Sequence, residues 1–415
     1  MTVFTPEWRV KINGTTVTAI TLVNLTITSG RQTIYEQPSA SYCNVSLITD
    51  PSQSVPYEIN DSVTIEVKKS DNSYVSLFGG FLSDIAVIVT NAGTIQVRQE
   101  LRIVALGAIA RLNRSNFVGN LGANNDGDQM LEVLEGALFA SWIEVPAALT
   151  WDAYEATTQW QDAENTGLGE IDTPGDYGLD SLNDLDESRY SLATRIANSG
   201  LGYIYEDSQG RIGYADSTHR NEYLVTNGFV DLDATNAYGL GMTIVKKSGD
   251  VRNSLSIIYG SAGNQTYEEK DLNSVSQFGE LAWIVPTHLQ NASDAENQAQ
   301  YYLSIRAFPQ FEMPSITFPL GNPEITDLQR DAMLEVFMGQ PLNIENLPAN
   351  MTFGSYQGFV EGWTWRAGIK GLTLELTLSP IEYSLQAFRW NSVPETEYWD
   401  SISPTLDWAN ATIVA

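Results

Sequence analysis

The sequence predicts a β-rich α+β protein: two similar antiparallel β-barrel domains with an inserted α+β domain and helical insertions. Three observations carry this expectation. Apolar residues alternate with period two through the first hundred positions and again beyond residue 241, helical spacing appears between them, and a Gly-Phe phrase is written twice with matching strand signals around it. At 415 residues the chain is too long for one ordinary core. Hydrophobic residues at 43% and aromatics at 10% are those of a folded chain, and the supply of Thr, Val, Ile and Tyr favours strands.

Residues 1–112 read as the first β-domain. Strand signals follow one another in T-V-T-A-I-T-L-V-N-L-T-I, Y-C-N-V-S-L-I, S-V-T-I-E-V, D-I-A-V-I-V and E-L-R-I-V-A-L. Val63, Ile65 and Val67 share one face while Thr64 and Glu66 take the other. Turns carry Asp, Asn and Gly, as in S-D-N-S at Ser70 and N-A-G-T at Asn91.

Residues 113–240 read as the inserted α+β domain. After N-N-D-G-D, with Asp126 or Asp128 as the cap, Met130, Leu131, Leu134 and Leu138 fall at helical spacing. A second helix is expected over Ser191–Ser199, stopped by Gly200 and Gly202. It leads into a hairpin over 202–216, with Tyr203 and Tyr205 on one arm, Ile212 and Tyr214 on the other, and a turn at Gln209-Gly210. Between the helices, residues 151–188 hold eleven acids and no Lys or Arg, a run expected to be a solvated, irregular loop.

Residues 241–385 read as the second β-domain, with strand signals M-T-I-V, S-L-S-I-I-Y, S-I-T-F, P-L-N-I and L-T-L-E-L-T-L. Helices near Ser293 and Thr326 interrupt them, each opening on a hydroxyl and an acid. Residues 386–415, rich in Trp, Pro and acid with little periodicity, are expected to be an arm that orders against a neighbour.

The repeated phrase is L-F-G-G-F-L-S-D-I from Leu77 and Y-Q-G-F-V-E-G-W from Tyr356. Val63 precedes Gly80 by 17 positions, and Leu342 precedes Gly358 by 16. C-N-V-S-L-I answers to P-S-I-T-F-P-L, and E-L-R-I-V-A-L to L-T-L-E-L-T-L-S-P, so four strand-like segments recur in one order. Gly80 and Gly358 are expected at a bend or bulge where one strand turns into the next, and Phe81 and Phe359 as plugs of the barrel interior beside it.

The charge of −29 arises because only 22 Lys and Arg stand against 51 Asp and Glu. Without clustered cations the chain is not a nucleic-acid binder, and the isolated pairs Lys68-Lys69 and Lys246-Lys247 are expected on strand ends. The single cysteine, Cys43, leaves no intrachain disulfide or thiolate zinc site and is expected to be a buried apolar residue. No apolar run has the length of a signal peptide or a membrane span, which leads to the expectation of a soluble protein made in the cytoplasm. His219 and His288 lie far apart without metal-ligand spacing, and Asp216 three residues before His219 comes without a serine elbow. Acid clusters at N-N-D-G-D and S-L-N-D-L-D-E depart from the EF-hand pattern, and helix capping explains them as well. No phosphate loop or dinucleotide fingerprint is present. The expectation is a non-enzyme without cofactor or bound metal.

The order of these parts, and above all the hairpin from Gly202 to Arg220 with V-T-I-E-V…L-F-G-G-F and Q-G-F-V-E-G-W…L-E-L-T-L-S-P, resembles the tail hub family. That family comprises baseplate hub proteins of contractile-tailed phages and related siphophage minor tail, or tail-tip hub, proteins. The likeness spans most of residues 1–385. It implies two tube-type β-barrels per chain and a homotrimer presenting six similar faces to a hexameric tail tube or distal tail protein, with a trimeric fibre or spike protein beneath it. DNA would pass through the centre without specific binding, past a lumen that a base-poor chain makes acidic. The resemblance supplies no catalytic residues. Two other classes stay open: a carbohydrate-active or carbohydrate-binding β-protein using exposed Trp and Tyr with two carboxylates, and a calcium-dependent adhesin.

Overall fold

The computed structural model describes residues 4–385, except 19, 50–54, 91–97, 139–167, 240–241, 261–262, 264, 352–353 and 370. The first part is all β: β1 (Trp8–Ile12), β2 (Thr15–Thr16), β3 (Thr21–Gly30), β4 (Tyr42–Thr49), β5 (Ser62–Lys68), β6 (Tyr74–Thr90) and β7 (Arg98–Leu106). Alternation dictates their facing: Val63, Ile65 and Val67 of β5 are fully buried, as are Cys43, Val45 and Leu47 of β4, while their neighbours take the opposite face, where Glu66 is buried between Arg9 and Lys11.

The middle part alternates helices and short strands: α1 (Ile109–Arg114), β8 (Asn116–Leu121), β9 (Asn124–Asn125), α2 (Asp126–Leu138), β10 (Leu168–Ile171), β11 (Gly178–Leu179), β12 (Leu182–Ser188), α3 (Arg189–Ser199), β13 (Tyr203–Glu206), β14 (Ile212–Ala215), α4 (His219–Asn227) and β15 (Val230–Asp233). Ser188 caps α3 and Gly200 ends it. The hairpin β13–β14 pairs Tyr203 with Ala215 and Tyr205 with Gly213, and Tyr203, Tyr205, Ile212 and Tyr214 are all buried.

Part of the acidic run departs from the expected loop. Residues 151–167 lie outside the described residues, but 168–188 contain three strands: β10 parallel to β14, β11 on β9, and β12 on β8. Neighbouring strands supply backbone partners, and the acids divide between two fates. Asp184 and Asp186 point outward, whereas Glu170 and Asp172 are buried among polar groups described below.

The last part holds β16 (Ser254–Tyr259), β17 (Gln265–Lys270), α5 (Leu272–Phe278), β18 (Ala282–Pro286), α6 (Ala292–Arg306), β19 (Ser315–Pro319), α7 (Asp327–Leu334), β20 (Pro341–Glu345), β21 (Tyr356–Gly368) and β22 (Gly371–Pro380). A capping box between Thr326 and Gln329 starts α7. Asn291, rather than Ser293, occupies the cap position of α6.

The early and late strands belong to one twelve-stranded sheet, in the order β15-β20-β21-β3-β4-β7-β6-β5-β1-β2, with β22 on the other edge of β21 and β19 beyond it. Two stretches of this sheet match. Within β4-β7-β6-β5, Val63 faces Gly80, Phe81 faces Leu106, and the β6–β7 register shifts between Leu82 and Asp84. Within β19-β22-β21-β20, Leu342 faces Gly358, Phe359 faces Ser379, and the β21–β22 register shifts between Val360 and Gly362. One apolar cluster runs beneath both, from Ile27, Val45 and Ile103 to Phe318, Trp363 and Leu374. A second cluster lies under the middle part and also takes Ile257, Leu289, Ala295 and Ala299, so β16 and the start of α6 pack with the middle part.

Candidate functional site

Gly80 and Gly358 sit inside the long strands β6 and β21, three residues before each bulge, rather than at a turn between strands. Their reason is close approach. A Cβ on Gly80 would strike the Leu106 carbonyl and the Phe78 ring; one on Gly358 would strike the Ser379 carbonyl and the Tyr356 ring. Phe81 and Phe359 do not plug the shared core. They point to the opposite face, because each pairs with a residue out of phase with the inward row Leu101, Ile103, Ala105 or Leu374, Leu376, Leu378. Both are buried there under arginines: Arg111 lies 4.7 Å from the Phe81 ring and Arg220 lies 5.0 Å from the Phe359 ring.

The bulge in β21 leaves one extra residue, Glu361, between Val360 and Gly362. At this point the strand changes partner: residues 356–359 pair with β20, and 362–368 with β3. The Glu361 carbonyl accepts the Arg31 N–H at 2.8 Å. Its carboxylate, 1% exposed, accepts Arg31 Nε at 2.6 Å, Arg220 Nη1 and Nη2 at 2.7 and 2.9 Å, and Ser379 Oγ at 2.5 Å. One buried carboxylate thus ties the end of β3, the helix α4 of the middle part and β22 together. Burial pushes its acidity down, yet Arg220 and Arg31 outweigh that and hold the carboxyl at about 2. Desolvation lowers Arg31, whereas the bidentate contact raises Arg220 despite its burial.

A second contact fixes the middle part to the sheet. The tip of the β13–β14 hairpin, Gln209-Gly210, lies backbone against backbone on Gly79, so that any Cβ on Gly79 would overlap the Gln209 carbonyl. Ser76 Oγ donates to the Ser208 carbonyl at 2.6 Å beside it. Glu206, at the end of β13, accepts the Ser41 N–H at 2.7 Å and also that of Ile109.

The groups weighed for chemistry are engaged structurally. His219 Nδ1 meets Asp172 Oδ2 at 2.9 Å, both buried, and Asp216 accepts the backbone N–H of Thr218 and His219 at the start of α4. Burial lowers the His219 affinity for protons, but Asp172 more than compensates and the ring is held above its usual value. Glu170 is raised to about 8, mainly by burial, and Asp216 to about 7 by burial and then Asp172. His288, half-buried, is lowered by desolvation. Asp126 accepts the Tyr177 N–H at 2.8 Å and the Tyr214 hydroxyl, and burial raises it to about 6. Among the described residues no group of three metal-ligating side chains converges. Cys43 is buried, and its thiol is pushed up by desolvation.

Sequence reasoning missed Glu361, although it lies inside the repeated phrase. The matching position in the first copy is Ser83, and the contrast between serine and glutamate at equal distance from each Phe is the signal that marks it.

No protein-family model matches the chain, and no curated protein matches its sequence. Among solved structures, the tail protein from Neisseria meningitidis MC58 superposes with a TM-score of 0.59 at 13% identity, covering 92% of this chain and 98% of its own. The 43 kDa tail protein of prophage MuSo2 from Shewanella oneidensis gives 0.53 at 9% identity, covering 91% and 99%. The chain has the fold of these tail proteins.

Proposed function

We propose that the chain is a structural, non-catalytic protein of a phage tail tip. Three copies, each carrying two equivalent β-halves, form a hub in the virion that adapts a six-fold tail tube or distal tail protein to trimeric fibre or spike components. One observation carries the reading. Four, six and eight residues after Phe359, Trp363, Trp365 and Ala367 are 3%, 1% and 6% exposed, paired with Ser29, Ile27 and Leu25 of β3. Four, six and eight residues after Phe81 stand Ile85, Val87 and Val89. Here β6 pairs with β7 on one edge, and among the described residues no strand flanks positions 83–90 on the other; Val87 and Val89 are 46% and 55% exposed. The same apolar row is covered in one half, while in the other Ile85 packs on the core and Val87 and Val89 stand exposed, and a neighbouring copy is the partner that would cover them.

The face of the sheet opposite the core supports a channel that does not hold DNA. It carries Thr26, Thr28, Asn44, Ser46, Thr364, Thr373 and Thr377, the pairs Arg102–Glu100 and Arg366–Glu375, and the acids Asp84, Asp231, Asp233 and Glu345, which form no ion pair among the described residues. A hydroxyl-rich wall with a surplus of acid, in keeping with the base-poor composition, would line the path. Sedimentation of the purified protein is expected to give a trimer, and Val87→Lys with Val89→Lys a monomer of unchanged circular dichroism. A wild-type monomer at micromolar concentration and in the virion overturns the reading.

A further inference from the structure

A cavity of about 210 Å³ opens between the segment after β3, the start of β13, α6 and residues 383–384. Arg306, the last residue of α6, lines it and is 3% exposed. Its Nε and Nη1 are buried without a hydrogen-bond partner among the described residues. Its guanidinium lies instead over three tyrosine rings, 4.2 Å from Tyr383, 5.1 Å from Tyr35 and 5.8 Å from Tyr302. Such contacts are individually weak. Burying a charge is costly, and a guanidinium does not escape that cost by deprotonating.

The neighbours do not neutralise it. Arg31 and Arg220 line the same cavity and share the single carboxylate of Glu361. Asp216 is the acid on the lining, and burial with the nearby Asp172 and Asp176 raises it to about 7. Asp250, whose backbone carbonyl takes the Tyr35 hydroxyl at 2.7 Å, lies near Glu312 and gives Arg306 Nε and Nη1 no hydrogen bond. In a chain of net charge −29, three arginines converge on one cavity with a surplus of positive charge.

We infer that this cavity is a binding site for a carboxylate carried on a flat aromatic or apolar group, with Arg306 as its charge partner and the tyrosines and Trp283 as its walls. The planar anion matches the guanidinium fork and continues in plane into the flat group that the rings would stack on, which a tetrahedral phosphate does not. This site is independent of the ring proposed above.

Calorimetric titration of the full chain with benzoate, benzamide and phenyl phosphate tests it. Benzoate is expected to bind and raise the melting temperature, benzamide to do neither, and phenyl phosphate to bind more weakly. Arg306→Gln is expected to weaken benzoate by about tenfold or more, with Arg114→Gln unchanged. Arg306→Lys, which keeps the charge and the stem, serves where the glutamine variant fails to fold, and is expected to lose several-fold. Equal binding of benzamide, tighter binding of phenyl phosphate, or unchanged benzoate affinity in either Arg306 variant overturns the proposal.

Discussion

Glu361 accepts four side-chain hydrogen bonds and donates none, which is the arrangement that keeps a buried carboxylate ionised. Replacing it with glutamine leaves Arg31 and Arg220 buried opposite a neutral group that brings two donors of its own. Glu361→Gln is therefore expected to cost about 3–5 kcal/mol, read as a lower denaturant midpoint, while Ser83→Ala at the matching bulge changes it by less than about 1 kcal/mol. Equal effects at the two positions would refute this account. The residue was hidden in plain sight: the repeated phrase drew attention to its glycine and phenylalanine, because those letters recur. What distinguishes the halves is the letter that does not recur, and its two arginine partners lie 330 and 141 positions away.

At the scale of elements, alternation identified the strands well because one face of the sheet is uniformly apolar and buried. Val63, Ile65 and Val67 needed only period two. Helices α3 and α7 were legible from Gly200 and Thr326, each a local signal, whereas Ser188, the cap that starts α3, went unread. The strands β10 and β12 were not, since their acids satisfy no alternation rule and their pairing comes from β14 and β8, distant in sequence. The hairpin β13–β14 was legible, but its docking on β6 was not, because a glycine needed for the close approach of a distant segment looks like one needed for a bend. Gly79→Val is expected to displace the hairpin tip, lowering stability by about 2 kcal/mol or more and opening the bond after Arg211 to trypsin. Protection equal to wild type would argue against the contact. Thr326→Ala, which removes the α7 cap, is expected to cost about 1 kcal/mol.

For the whole molecule, several buried acids hold protons that the unfolded chain releases. Asp126 at about 6, Asp216 at about 7 and Glu170 at about 8 stand above ordinary carboxylates near about 4. Their contribution to stability is complete below about pH 4 and is lost as pH rises through those values; the raised His219 acts in the same direction, from about 6.5 upward. Glu361 acts oppositely, its share present above about 4.5 and lost as pH falls toward 2. The melting temperature is expected to be highest near about pH 5 and to fall by pH 8.5, and Glu170→Gln to flatten that fall. A melting temperature that rises over this interval would contradict the assignment. The β-rich class was readable from composition and periodicity, whereas the joining of early and late strands through β3 and β21 has no local signature.

That joining has a mechanical meaning. β21 is bonded along one edge to β20 and then to β3, and along the other to β22. Traction between the early and late parts of the chain therefore pulls along the strand axes and loads many backbone bonds at once, so they yield together instead of unzipping singly. Pulling one molecule between residues 21 and 380, which load β3 and β22 from opposite ends on either side of β21, should give a single high-force rupture.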